Sequence, residues 1–325
     1  VRFAADVVPA DAIPPPFTPS QLGTTSFDLV ATLLVVGAGA LYLWGVVRAN
    51  RLRPRHRWSA WRTTAFLAGL AFVVVALESV VGVYDDVLFW DHMVQHLLLI
   101  MVAAPLFALG SPVRLALQAT AGPSHRRLAA GLRSGPARFL GNPIVAFLGY
   151  AVFIPLSHLT AFYNLTLEDD QVHHLEHLAF LALGYLFWRQ VFGVEPGARL
   201  TPPLKLGYLF LAVPVDTFTG LSLNSATREI FPAYLNTEHL RSWGPSPVTD
   251  LHLGGVVMWV GGDTLMFLAM IPVAIQWLRS EERRTRRVDR QMAEAGPAEV
   301  TLAPWMAEGA ATGPAGDPRP PSSRA

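Results

Sequence analysis

The feature that most limits what this chain can fold into is a series of seven apolar runs. They occupy residues 27–47, 63–84, 90–112, 140–163, 171–192, 204–225 and 250–278. A membrane-crossing helix needs about 20 mostly apolar residues. Backbone groups in hydrocarbon must bond internally, so helices are the expected spanning form. The runs are apolar on most faces, which suits lipid and bundle contact better than a half-wetted surface. Only 15% of the residues are charged, against about 25% in soluble domains. The expected fold is an all-α polytopic membrane bundle of about seven transmembrane helices.

Arginine and lysine give the expected orientation. Six arginines lie in 48–62, five in 114–138, then Arg189, Arg199 and Lys205, and eight more from Arg279 onward. These alternate segments hold 22 of the 25 basic residues, leaving Arg2, Arg228 and Arg241 on the other side. Seven crossings with the N-terminus outside and the C-terminus in the cytoplasm fit this pattern. Residues 1–26, with Pro14, Pro15, Pro16 and Pro19, read as an extended extracytoplasmic arm without the pattern of a signal peptide. Residues 27–279 form the expected membrane domain. The expected tail, 280–325, starts basic, suited to anionic headgroups. It then turns rich in Ala, Gly, Pro and Glu, a composition expected to be disordered.

The net charge is +1, and no basic, aromatic-rich patch points to nucleic acid. There are no cysteines, which excludes disulfides, thiolate metal sites and thiol catalysis.

Histidine is the residue that stands out. Of ten histidines, His56 and His125 fall in arginine-rich inner loops, and the other eight fall on the outer side. His92 and His96 open the third run, and their spacing of four puts both on one helical face. His158 lies about five residues before the outer end of the fourth run. His173, His174 and His177 open the fifth, with His173 and His177 sharing a face. His252 opens the seventh, and His239 sits in the loop before it. Four helices thus carry imidazole within about two turns of one interface, or roughly 10 Å of depth. Ionisable groups in a membrane are costly and mark functional sites.

Neutral imidazole is a common metal ligand. With Met93, Met101 and Met258 on the same helices, it suits copper, particularly Cu(I). Asp91, Glu176, Asp250, Glu78 and Asp216 accompany the cluster and can orient ligand rings. Bland readings compete. His174 and His239 suit ordinary interfacial roles, the methionines suit core packing, and Glu78, Asp216 and Asp263 suit polar contacts between helices. His173-x-x-Glu176-His177 also matches the inverted zinc-protease pattern, so a membrane-embedded zinc hydrolase is the rival enzyme reading. Bis-histidine haem ligation is a third.

Several ordered motifs resemble the multi-span CtaG family of cytochrome c oxidase assembly proteins. They are His92-Met93-Val94-Gln95-His96 with Ala104-Pro105-Leu106 and Gly110-Ser111-Pro112; Asn142-Pro143 followed by His158 and Tyr163; and His173-x-x-Glu176-His177 with Gly184 and Phe187-Trp188. In the last run Asp250, Gly255 and Met258-Trp259 lead to Trp277-Leu278-Arg279. The resemblance runs from about residue 27 to 285. It implies a bacterial plasma-membrane protein, not an enzyme, that helps supply copper to a haem–copper oxidase subunit. It is distinct from the single-span, cysteine-bearing copper chaperone. His92, His96, His158, His173 and His177 fall on matching positions as candidate metal ligands. His252 matches least, because members from other bacterial groups tend to carry Gln-Gln where Leu251-His252 stands and Pro where Gly261 stands. A scaffold that holds an oxidase intermediate without metal is the remaining alternative.

Overall fold

The computed structural model describes residues 13–192, 200–232, 234–235 and 241–295. The outermost N-terminal arm and the tail expected to be disordered beyond residue 295 lie outside these. Among the described residues the ordered structure is helical, with no strand. The helices are α1 (Leu29–Leu52), α2 (Ala60–Tyr84) and α3 (Phe89–Gln118), then two short helices, α4 (Gly122–Leu132) and α5 (Gly135–Leu140). They continue as α6 (Pro143–Leu159), α7 (Phe162–Glu168), α8 (Asp170–Phe192), α9 (Pro202–Asn224) and α10 (Pro247–Glu294).

Every one of the seven expected runs is helical. Five helices (α1, α2, α3, α9 and α10) are long and apolar enough to cross a membrane, and a sixth span results if α6 and α7 are joined. That pair bends by 68°, so the fourth run is broken rather than straight. The backbone leaves the helix at Thr160, which is extended (φ −126°, ψ 172°). Helix α8 has the length of a span, 23 residues. Its histidines, Glu176, Arg189 and Gln190 keep it out of the apolar set.

The outer surface is what a bilayer would solvate. Leu33, Leu41 and Phe210 are each more than 60% exposed. An apolar surface this extensive on a water-soluble monomer would be anomalous. The interior is aromatic: Tyr84, Tyr150, Tyr163, Phe89, Phe180, Phe187 and Trp188 are all essentially inaccessible.

Two helices change pitch beside this core. Residues Leu98–Ala103 of α3 and Val257–Gly261 of α10 wind as π-helix. In α3 the cause is Pro105, which has no N–H to give the carbonyl four residues back and crowds it. The wider turn presents the Ile100 carbonyl sideways, and the Trp188 indole N–H donates to it at 2.8 Å.

Helices α9 and α10 cross at Gly220 and Gly255. A Cβ on Gly220 would lie 2.5 Å from the Gly255 carbonyl oxygen, and one on Gly255 would lie 2.6 Å from that of Gly220. Such backbone proximity requires glycine on both sides.

The start of α3 is held from α10. Leu88, the residue preceding α3, has no side chain able to cap the helix. Asp250 does it from a distance: its carboxylate accepts from the N–H groups of Phe89 and Trp90, both at 3.0 Å. This fixes the first turn of the helix that carries His92 and His96.

The chain divides into two compact units, Val1–Trp277 and Leu278–Ala325. In the second, the helical residues 278–294 are exposed throughout, Arg279, Arg283, Arg284, Arg286, Arg287 and Arg290 among them.

Candidate metal centre

Two helix beginnings and one helix end meet at the histidines. Helix α3 brings His92 and His96 one turn apart, the last turn of α6 brings His158, and the first two turns of α8 bring His173, Glu176 and His177. Ring centroids lie 4.3 Å apart for His92–His96, 5.1 Å for His92–His173, 4.2 Å for His173–His177 and 5.3 Å for His96–His158. His92 and His158 are 0% exposed, His96 3% and Glu176 1%. The five histidines expected at one depth therefore form one contiguous cluster, and only His173 among them is half-buried.

Hydrogen bonds divide the rings by role. His158 Nδ1 donates to the Ile154 carbonyl at 2.8 Å, which leaves its Nε2 as an acceptor in the neutral ring. That Nε2 takes the proton of His96 Nδ1 at 3.2 Å. The lone pair of His96 is then on Nε2, 3.7 Å from Glu176 Oε2. A ligand histidine characteristically gives its other N–H to an orienting partner, and His158 has that relation to His96.

On the other side His177 Nε2 donates to Gln95 Oε1 at 2.9 Å. Gln95 is itself fixed, because its amide donates to Asp85 Oδ2 at 2.6 Å and to the Ala76 carbonyl at 3.1 Å.

The remaining donors are buried without partners: both ring nitrogens of His92, Nε2 of His96, Nε2 of His173 and both oxygens of Glu176. Thr166 lies beside Glu176 but spends its one hydroxyl proton on the Tyr163 carbonyl, at 2.7 Å. Each unsatisfied buried group costs about 1–3 kcal/mol, so this concentration calls for a proton or a cation. Two trios place their donor atoms within 4.8 Å of one another: His92, His96 and Glu176, and Asp85, His92 and His173.

Asp85 and Gln95 were not among the expected site residues. Asp85 stands seven residues before His92 and outside the helix, so helical spacing gives no signal for it. Burial, with the neighbouring Asp86 charge adding, pushes the Asp85 carboxyl well above the usual range, although the Gln95 amide opposes this. Tyr163 walls the cluster, its ring 5.3 Å from that of His92. Its hydroxyl meets that of Tyr234 at 2.9 Å, and Tyr234 in turn donates to the Asp85 carbonyl.

The other expected residues are engaged as follows. His252 Nε2 donates to the Ala226 carbonyl at 2.8 Å, tying α10 to the end of α9. His174 meets Asp28 at 2.6 Å. Asp250 caps α3. Asp91 is buried with Oδ2 unpartnered, in neither trio. Glu78 accepts from the Thr32 hydroxyl. Asp216 accepts from the Tyr150 hydroxyl at 2.7 and 2.8 Å. Asp216 also lines a cavity of about 10 Å³ with His96, His158, Met93, Met101 and Met258. That volume is room for about one water. His239 lies outside the described residues.

The profile of the cytochrome c oxidase caa3 assembly factor family (Caa3_CtaG) matches residues 40–280. The chain belongs to this family. The matched stretch contains every residue of both trios. An uncharacterized protein of Mycobacterium leprae is 30% identical over 268 residues, covering 80% of this chain and 40% of its own length. Uncharacterized proteins of Mycobacterium bovis and Mycobacterium tuberculosis are each 29% identical over 267 residues. The Caa3_CtaG chain thus spans about 40% of the length of these curated relatives. No solved structure matches it.

Proposed function

We propose that this Caa3_CtaG protein binds copper as cargo at the buried histidine–carboxylate cluster and passes it to a haem–copper oxidase subunit docked beside it. The membrane would be the bacterial plasma membrane, with the cluster toward the outside. The observation that carries this reading is the set of buried, unpartnered donors in His92, His96 and Glu176, within 4.8 Å of one another.

Two imidazoles and a carboxylate suit a borderline divalent ion such as Cu(II). The three thioethers lining the adjoining cavity with His96 and His158 add donors that Cu(I) prefers. A cluster of exchangeable nitrogen and oxygen ligands fits delivery, in which bonds must break one at a time. The orientation rests on the arginine distribution, and the exposed arginines of residues 279–290 suit anionic headgroups on the inner face.

A zinc hydrolase reading draws on the same donors, since two histidines and a glutamate are a hydrolytic zinc set. Against it stand the three thioethers beside the cluster, which suit Cu(I) and are not among the usual zinc ligands. The test is removal of the gene followed by elemental analysis of the assembled oxidase. Copper delivery predicts oxidase deficient in copper, and a full complement would favour a metal-free scaffold.

A further inference from the structure

His92 belongs to both donor trios. It is also the ring with the least conventional surroundings. His96 and His177 each give an N–H to an orienting acceptor, His158 Nε2 and Gln95 Oε1 respectively. His92 gives neither of its nitrogens to a hydrogen bond of ordinary geometry, although the Asp85 carbonyl lies near the ring and the side chain is 0% exposed. A histidine serving one metal position normally uses its second nitrogen for orientation. A histidine with both nitrogens unpartnered inside a donor cluster has the chemistry to face a cation on either side.

The two trios also differ in depth. His92 and His96 are one helical turn apart, about 6 Å along the axis of α3. One trio adds Asp85, from before the helix, and His173, the half-buried ring. The other adds His96 and Glu176, and all three of its members are buried.

We infer that the cluster holds two alternative cation positions sharing His92: an outer one completed by Asp85 and His173, and an inner one completed by His96 and Glu176. The cargo moves between them by exchanging one pair of ligands for the other, with His92 common to both positions. No electron is needed, because one imidazole and one carboxylate leave as another imidazole and carboxylate take their place; the proton given up by the carboxyl that takes the ion passes to the one the ion leaves, and the His92 N–H shifts to the ring nitrogen the ion leaves. One cation occupies the pair at a time, since two dications around one imidazole would repel in a buried site. The inference rests on the copper-binding reading above and adds a direction to it. The inner position stores the ion, and the outer one is where it enters and leaves.

The test uses the full chain in detergent, loaded with Cu(II), with release followed after mixing with excess EDTA. Asp85→Asn keeps an oxygen acceptor for Gln95, and His173→Ala alters a half-buried side chain, so both variants should fold. They are expected to retain bound copper but to load and release it about tenfold more slowly. Glu176→Gln and His96→Ala remove ligands, so they are expected to weaken binding by at least the 10–100-fold typical of losing a ligand's orienting partner, and to release faster. The opposite signs of the release rate are the signature. If all four variants release faster, the cluster is a single site and the two-position arrangement is overturned while copper binding stands. A wild-type chain that takes up no copper overturns both.

Discussion

Replacing Asp250 by alanine should loosen the first turn of α3 and with it the placement of His92 and His96. The Asp250 carboxylate is 1% exposed and accepts two backbone N–H bonds at 3.0 Å from Phe89 and Trp90, with Arg241 at 3.9 Å. Hydrogen bonds to a charged group contribute about 1.5–3 kcal/mol each, so losing both costs about 3–6 kcal/mol. Leaving the largely buried Arg241 without its counter-charge pushes toward the upper end. An asparagine side chain offers one oxygen where the aspartate offers two, so Asp250→Asn should recover about half of the loss. The assay is unfolding of the detergent-solubilised chain, paired with hydrogen exchange at the Phe89 and Trp90 amides. Asp250→Ala should lower stability by several kcal/mol and strip protection from those two amides first. Wild-type stability with both amides still protected would refute capping across helices.

At the α9–α10 crossing, Gly220→Val would drive a side chain into the Gly255 carbonyl and the Trp259 backbone. Overpacking against backbone that cannot yield costs about 1–3 kcal/mol or more, readable as a lower unfolding midpoint in the same assay. Asp28 caps α1 through Val30 and Ala31 and pairs with His174. Burial pulls its carboxyl upward, but the Ala31 N–H and His174 outweigh this and hold it below its ordinary 3.8. Asp28→Ala should therefore cost about 1 kcal/mol. Because the folded pKa is lowered, that stabilisation is present above about pH 4 and fades as pH falls through the folded value. The gap between variant and wild type should be full at pH 7 and shrink in acid.

Much of the fold was legible because a bilayer imposes length and apolarity on each span, and those are properties of single segments. The bend after His158 was not, since it depends on where the chain turns at Thr160 rather than on hydropathy. Helix α8 shows the opposite limit: the polar residues that keep it out of the apolar set include His173, Glu176 and His177 of the candidate site.

The histidine pairs were visible because a spacing of four is a local helical rule. That five rings would meet followed from their common depth. Their division into donors and orienting partners did not, because it depends on which nitrogen of His158 faces the Ile154 carbonyl and which side of Gln95 faces His177. Asp85 escaped because it joins the cluster through tertiary packing from a non-helical segment. Asp250 had the right place and a different partner: it orients α3 through backbone N–H groups, whereas the sequence suggested a ligand ring.

The central claim is that the buried rings of α3 hold the metal. Copper bound per chain, measured by elemental analysis on the full chain in detergent, tests it directly when wild type is set beside the His92→Ala/His96→Ala double variant. Circular dichroism and unfolding serve to show that both are folded. Bound copper is expected in the wild type and its loss in a folded double variant. Equal copper in the two, or none in the wild type, would contradict it.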